Sequence, residues 1–454
     1  LTQIELPFAL VLGDCVLEGR ALLPGSAGGA PVAAEFKLTG GKFSPGQEGI
    51  LALAATLKNS TPAARVATLR ANVTLRALQS EQNSFSRVSL TAVVDAEGRT
   101  LSGAEQLRIA TQLGTTPTGE HYDLTIDTLV RGAAENVLTV HGTLPTGSQE
   151  YAGDWKLLAR TAQLEPFFLG AGLPEFNTHG AGRFTYNPVT AAASLQGGLT
   201  ADVSRLEALE PAWRPIGAVK ATAQFDLVAT AGVARLNQLD LTLAGDQPVL
   251  SLSAARAAEI HFKERRLSLG GATPGEAISL TLQGLPLAWV RPFVPTVDVS
   301  GGLVTGQLAI NGESDHLTLR AVQPLRVSQL TVVEAGRLLL AKADVALDFD
   351  AVLTKTALSA EIRRFSLATP AGDSLAATAS LSLPVGPNPP ITVSGTYTAD
   401  LPTLLAPWLP LGRVKAAGDA DFTLAGQKIE LRRLHTRATD AAGLDLFKAD
   451  ALRP

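Results

Sequence analysis

The tetrapeptide Gly372-Asp373-Ser374-Leu375 is the run most suggestive of chemistry, because it matches the nucleophile block of the GDSL hydrolases. In those enzymes the serine needs a base, supplied by a downstream Asp-x-x-His pair. No Asp-x-x-His follows Leu375, and the run lies between the alternating stretches Phe365–Leu367 and Ala377–Leu383, where Gly-Asp reads as a turn. The six histidines (His121, His141, His179, His261, His316, His435) have no metal-ligand spacing and read as surface or strand residues. Asp348 and Asp350 stand at i, i+2, so both carboxylates share one side of a strand and could hold a cation; a solvated strand face is the simpler reading. The pairs Arg265/Arg266, Arg363/Arg364 and Arg432/Arg433 suit lipid headgroups at a groove rim, or the plainer task of solubilising a sheet edge. The single cysteine, Cys15, cannot form an intramolecular disulfide and reads as a small hydrophobe. These residues point to no catalytic activity, no cofactor and no metal.

The elements that must position them are strands. Leu69, Ala71, Val73 and Leu75 alternate with Arg70, Asn72, Thr74 and Arg76, and Val88, Leu90, Ala92 and Val94 repeat the pattern. So do Tyr122, Leu124 and Ile126 against Asp123, Thr125 and Asp127. Further on, Val345, Leu347, Phe349, Ala351 and Leu353 point one way while Asp348 and Asp350 point the other, with Ile278, Leu280 and Leu282 behaving alike. Period two over such lengths gives each strand one apolar and one polar face. In several places two polar residues interrupt the alternation: Val203-Ser-Arg-Leu206, Leu236-Asn-Gln-Leu239, Val327-Ser-Gln-Leu330, Ile362-Arg-Arg-Phe365 and Leu431-Arg-Arg-Leu434. One extra residue keeps the same side chains on the apolar face while bending the strand, so these read as β-bulges or, alternatively, as strand ends with a tight turn between.

One stretch recurs. Leu285–Gly312 places Trp289 and Phe293 around Pro292 and then opens into a Gly-led alternating segment; altered copies begin at Ala162 (Phe167 and Phe168 after Pro166) and at Leu401 (Trp408 after Pro407). Each aromatic segment reads as one or two helical turns bounded by proline. Pro166 to Pro292 is 126 positions, Val203 to Val327 is 124 and Leu236 to Ile362 is 126, the steady offset of a reused module. The expected organisation is a divergent β-repeat region over 1–150, repeat units over 151–275 and 276–394, and a truncated unit over 395–454. That truncation suggests a piece of a longer protein.

With 46% hydrophobic and 18% charged residues the chain can bury much apolar surface, yet aromatics are only 5% and Gly and Pro number 42 and 27. A net charge of −4 offers no electrostatic case for nucleic acid. Four Trp and four Tyr are too few for the two aromatic girdles of an outer-membrane barrel. No apolar run reaches the roughly 18–20 residues of a spanning helix. The predicted fold class is all-β: a long, twisted, mostly antiparallel sheet of tandem repeats curled into an apolar trough, with short helical segments between repeats.

The succession of an LPTLLAPWLP-like segment, a Gly-led strand closing in DFTLAG or GQLAING, and one-sided strands such as AGRLLLAKADVALDFDA resembles the AsmA-like and TamB-like envelope proteins of Gram-negative bacteria. The likeness is one of pattern, good over 150–454 and loose over 1–150. It implies a periplasmic β-groove protein, anchored in the inner membrane through an N-terminal segment outside this sequence. Its partners would be phospholipid acyl chains, moved between inner and outer membrane, and proteins of either membrane. On that reading Leu280, Leu282, Val345, Leu347, Phe349 and Leu353 line the groove from strands, and Trp289, Phe293 and Trp408 line it from the aromatic segments. The alternative is a structural or assembly-assisting protein that binds client β-strands or outer-membrane proteins.

Overall fold

A computed structural model describes residues 11–454 apart from 24–31, 60–65, 82–83, 99–103, 169–171, 255–257, 262–265, 270–276, 291–297, 313–315, 335–336, 386–388, 405–413, 426–427, 441–442 and 453–454. The described chain is nearly all antiparallel strand and divides into two compact units, Leu1–Ala231 and Gly232–Pro454. All the alternating stretches singled out above lie in strands.

In the first unit every strand pairs with its neighbours in sequence. Leu12–Leu23 pairs with Val32–Phe43, followed by Glu48–Asn59, Thr68–Gln79, Phe85–Glu97, Ala104–Thr116, Gly119–Val130, Ala133–Pro145, Tyr151–Arg160, Glu175–Asn187, Ala192–Ser204 and Val219–Thr230. Among the described residues Leu12–Leu23 has no second partner strand within the unit, so this sheet is open. Tight hairpins make the meander possible: Arg131 and Gly132, at φ 50° and 80°, supply two consecutive left-handed residues between Val130 and Ala133.

In the second unit Val233–Ala244 pairs with Pro248–Ala254 through its C-terminal half and with Ala258–His261 through its N-terminal half. From Pro248–Ala254 the sheet continues through Ile278–Pro286, Leu303–Gly312, His316–Glu334, Arg337–Thr354 and Ala357–Ala368. Ser374–Pro384, Ile391–Asp400, Lys415–Ala425, Lys428–Thr439 and Asp445–Leu452 complete it. Among the described residues helix is confined to short connecting pieces: Thr161–Leu164 running into the 3-10 turn Glu165–Phe167, the 3-10 turns Leu206–Ala208 and Pro211–Ile216, and Leu287–Val290. No helix of the described residues is long and apolar enough to cross a membrane.

The polar interruptions resolve into two classes. At Ile362–Phe365, Leu431–Leu434 and Val327–Leu330 the strand continues and the register shifts, as a bulge requires. At Leu236–Leu239 the strand also continues, but it changes partner, Leu236 facing Ala258 and Leu239 facing Ala254. Val203–Leu206 is different: the strand stops at Ser204, Arg205 turns left-handed at φ 56°, and a 3-10 turn follows. Pro211, five residues further on, offers no N–H to a ladder, which favours the turn over a continued strand.

Burial is shallow. The closed apolar clusters are small, one around Val66, Leu69 and Ala96 and another around Ala258 and Ala277. Among the described residues, close strand contacts run almost wholly between sheet neighbours.

Candidate functional site

Directly opposed residues in an antiparallel ladder project from the same face, so the register itself traces rows across a sheet. In the first unit one row runs Leu17, Leu38, Leu53, Val73, Ala92, Ile109, Ile126, Leu138, Leu157, Gly180, Leu199 and Ala223, without a polar side chain from the first strand to the last. Most of its members are only half-buried, and Leu17 at the edge strand is 54% exposed. The reverse face is charged: Lys37 pairs with Glu18 at 2.5 Å, Arg70 with Glu97 at 2.8 Å and Arg76 with Glu48 at 3.5 Å, all between exposed side chains. Such pairs add little stability but keep that face in water.

The next apolar row contains an aromatic shelf. Trp155 stands opposite Gly182, which stands opposite Gly197, which stands opposite Phe225. The indole lies down across both glycines and stacks on the Phe225 ring, centroids 6.2 Å apart and planes within 13°. A Cβ at Gly182 would come within 1.9 Å of the Gln196 carbonyl and 2.7 Å of Trp155 Nε1, and one at Gly197 within 2.6 Å of Trp155 Cζ2. The glycines are therefore what allows the ring to lie flat. Tyr397 repeats the device in the second unit, crossing Gly418 to hydrogen-bond the Thr436 hydroxyl.

At one margin of this face the chain folds back on itself. After Tyr151–Arg160, the segment Thr161–Phe167 runs over earlier strands until Phe167 packs against the cluster of Val66, Leu69 and Ala96, which Leu57 and Val94 also border. Seven helical residues advance about 11 Å, whereas four strand spacings on a flat sheet are about 19 Å. Side-chain reach and a curl of the sheet toward its apolar side together close that gap. Polar anchors hold the segment: buried Gln163 accepts from the Arg160 amide at 2.8 Å and donates to Glu135 at 3.0 Å, while Thr161 Oγ1 accepts from the Phe176 amide at 2.6 Å.

In the second unit the row Leu239, Ala254, Ile278, Ile310, Leu319, Ala351, Ala360, Leu381, Val393, Phe422 and Leu431 is likewise unbroken. The strand residues named from sequence lie on this same face. Leu280 is opposed by Leu252 and Leu308, and Leu282 by Leu250. Val345 meets Val327 and Leu367, Leu347 meets Leu325 and Phe365, Phe349 meets Ile362, and Leu353 meets Leu317 and Leu358. Trp289, half-buried, sits on the helical turn Leu287–Val290 beyond the strand end, beside buried Leu287. Phe293 and Trp408 lie outside the described residues.

The residues with apparent chemistry are engaged by one another. Bulged Arg363 donates from Nε to Asp348 at 3.1 Å, from Nη1 to Asp350 at 2.9 Å and from Nη2 to the Ala321 carbonyl at 3.1 Å, so the cation between the two aspartates is a guanidinium. Asp373 of the GDSL run is 2% exposed in a turn closed by the Gly372 amide on the Thr369 carbonyl. It accepts from the amides of Thr403 and Leu404 at 2.8 and 3.1 Å and from the hydroxyls of Thr369, at 2.9 Å, and Thr403. Burial alone would raise its carboxyl, but the bonds from Thr403, Leu404 and Thr369 outweigh that and hold it below the usual carboxylate range. Asp373 thus clamps the start of the third aromatic segment, much as Glu135 and Gln163 anchor the first.

Sequence reading missed the shelf and both clamps. The shelf's only signal was the paired glycines at 182 and 197, which acquire meaning once the register sets them beside Trp155. No family model, curated protein or solved structure matches the chain.

Proposed function

We propose that this chain is a hydrophobic trough that carries phospholipid acyl chains through the bacterial envelope, in the manner of the AsmA-like and TamB-like proteins its sequence pattern resembles. One observation carries the reading: each unit has an apolar row that crosses its sheet uninterrupted, with no charged member and most of its members half-buried. Fluid hydrocarbon needs continuous apolar surface and no directional polar site, which is what such rows offer. A catalytic site would instead need converging polar groups, and Asp373, Asp348 and Asp350 are already engaged by amides, hydroxyls and Arg363. On this reading the chain lies in the periplasm, attached to the inner membrane by a preceding segment, with phospholipid as its partner and no nucleic acid.

Photocrosslinking in cells tests it. A photoreactive residue at Leu53, Leu138, Leu319 or Ala360 is expected to capture phospholipid, and one at Thr74 or Thr396 on the reverse face is not. Equal capture from both faces, or adducts with protein alone, would overturn the reading.

A further inference from the structure

We infer that the shelf formed by Trp155 and Phe225 is a seat for acyl methylenes, a place in the first unit where hydrocarbon lies directly on aromatic rings. The inference rests on the trough reading and specifies where in the first unit contact is made. Three observations converge on it. The shelf adjoins the twelve-residue apolar row, with Trp155 two positions from Leu157 and Phe225 two from Ala223, so it is continuous with the proposed path. Glycines at 182 and 197 remove side-chain height across two strands, and the indole fills that recess lying flat rather than upright. The result is a broad, low patch, about three strand spacings or roughly 14 Å wide, between the row of Leu157, Gly180, Leu199 and Ala223 and that of Gly153, Phe184, Leu195 and Leu227.

The occupant is chosen by charge and by precedent within the molecule. Across Cys15, Gly40, Leu51, Leu75, Leu90, Thr111, Leu124, Val140, Trp155, Gly182, Gly197 and Phe225 no residue is charged, so a ligand extended along this row must be uncharged over that length. The same face already receives an apolar group elsewhere, the Phe167 ring packed on the cluster of Val66, Leu69 and Ala96. The indole Nε1 has no acceptor among the described residues and lies against the Gly182 backbone, so the upper surface of the shelf is ring carbon and offers dispersion contact alone.

The test uses the whole chain with Trp213, Trp289 and Trp408 changed to Phe, leaving Trp155 as the sole emitter. It is incubated with vesicles of phosphatidylcholine brominated in mid-chain, re-isolated, and assayed for bound phosphorus and for fluorescence. Expected is bound lipid with loss of Trp155 emission, absent with unbrominated lipid, and a weaker loss after Phe225→Leu. Bound lipid with unchanged emission would overturn the seat and leave the trough standing. No bound lipid on a folded protein would overturn both. Emission that shifts with protein concentration, independent of lipid, would assign the shelf to contact between copies of the chain.

Discussion

Asp373 shows how a residue that advertises chemistry can instead hold a fold together. Its carboxylate gathers two amides and two hydroxyls from elements thirty residues apart, and removing it leaves those donors buried without an acceptor. Asp373→Ala should therefore cost about 2 kcal/mol in chemical denaturation, the range for hydrogen bonds to a charged group, whereas Ser374→Ala should be nearly silent. The pH dependence follows from the depressed folded-state pKa. The stabilisation is complete above the unfolded-state value of about 4 and fades as pH falls below it, because the unfolded chain takes up the proton first. Comparing wild type with Asp373→Ala between pH 3 and 6 should show the two stabilities converging at the acid end; a constant gap would mean the carboxylate's charge plays no part. At the shelf, Gly182→Val should be far more disruptive than Phe225→Leu in thermal melts, since the new Cβ meets the Gln196 carbonyl as well as the indole.

Bulges set which face each strand shows. Asp348 opposes Arg364 and Phe349 opposes Ile362, so Arg363 is the extra residue that keeps Ile362 and Phe365 on one side. Deleting Arg363 leaves Ile362, Arg364 and Phe365 alternating without a bulge, so both ladders can close with the same partners and each side chain keeps its face while the local bend is lost. Changing it to Ala keeps the phase and removes only the guanidinium between Asp348 and Asp350. Limited proteolysis should find the deletion variant and Arg363→Ala about equally resistant; much faster cleavage of the deletion variant alone would show that the bend itself, and not only the guanidinium, holds the strand. Strand identity, facing and three of the bulges were readable from sequence because period two is local and survives without knowledge of partners. Clamps and shelf were not, since Glu135 meets Gln163, and Trp155 meets Phe225, only through pairings whose offsets depend on hairpin lengths. Val203–Leu206 carried the same two-polar signature as the true bulges and became a turn, so the signature marks an interruption and its surroundings decide which kind.

Within each unit the apolar face is a surface rather than a core, and that separates transport from packing. Leu347 and Leu280 are half-buried, so a carboxylate there can still reach water. Leu347→Asp or Leu280→Glu should cost about 1–2 kcal/mol instead of the 2–5 typical of a closed core and, if the proposed trough carries lipid, block passage of hydrocarbon. Paired assays, protease resistance for folding and lipid crosslinking for passage, should show the first kept and the second lost; simultaneous loss of both would point to a packed scaffold, and normal crosslinking would exclude these positions from the path. The meander has one more consequence. Because each strand reverses the last, one added strand would deliver the next connecting segment to the opposite margin, where its clamp has no partner, while an added hairpin returns it to the same margin. Such a protein can lengthen or shorten only in steps of two strands, about 10 Å at a time, and its natural size variants should form an evenly spaced ladder.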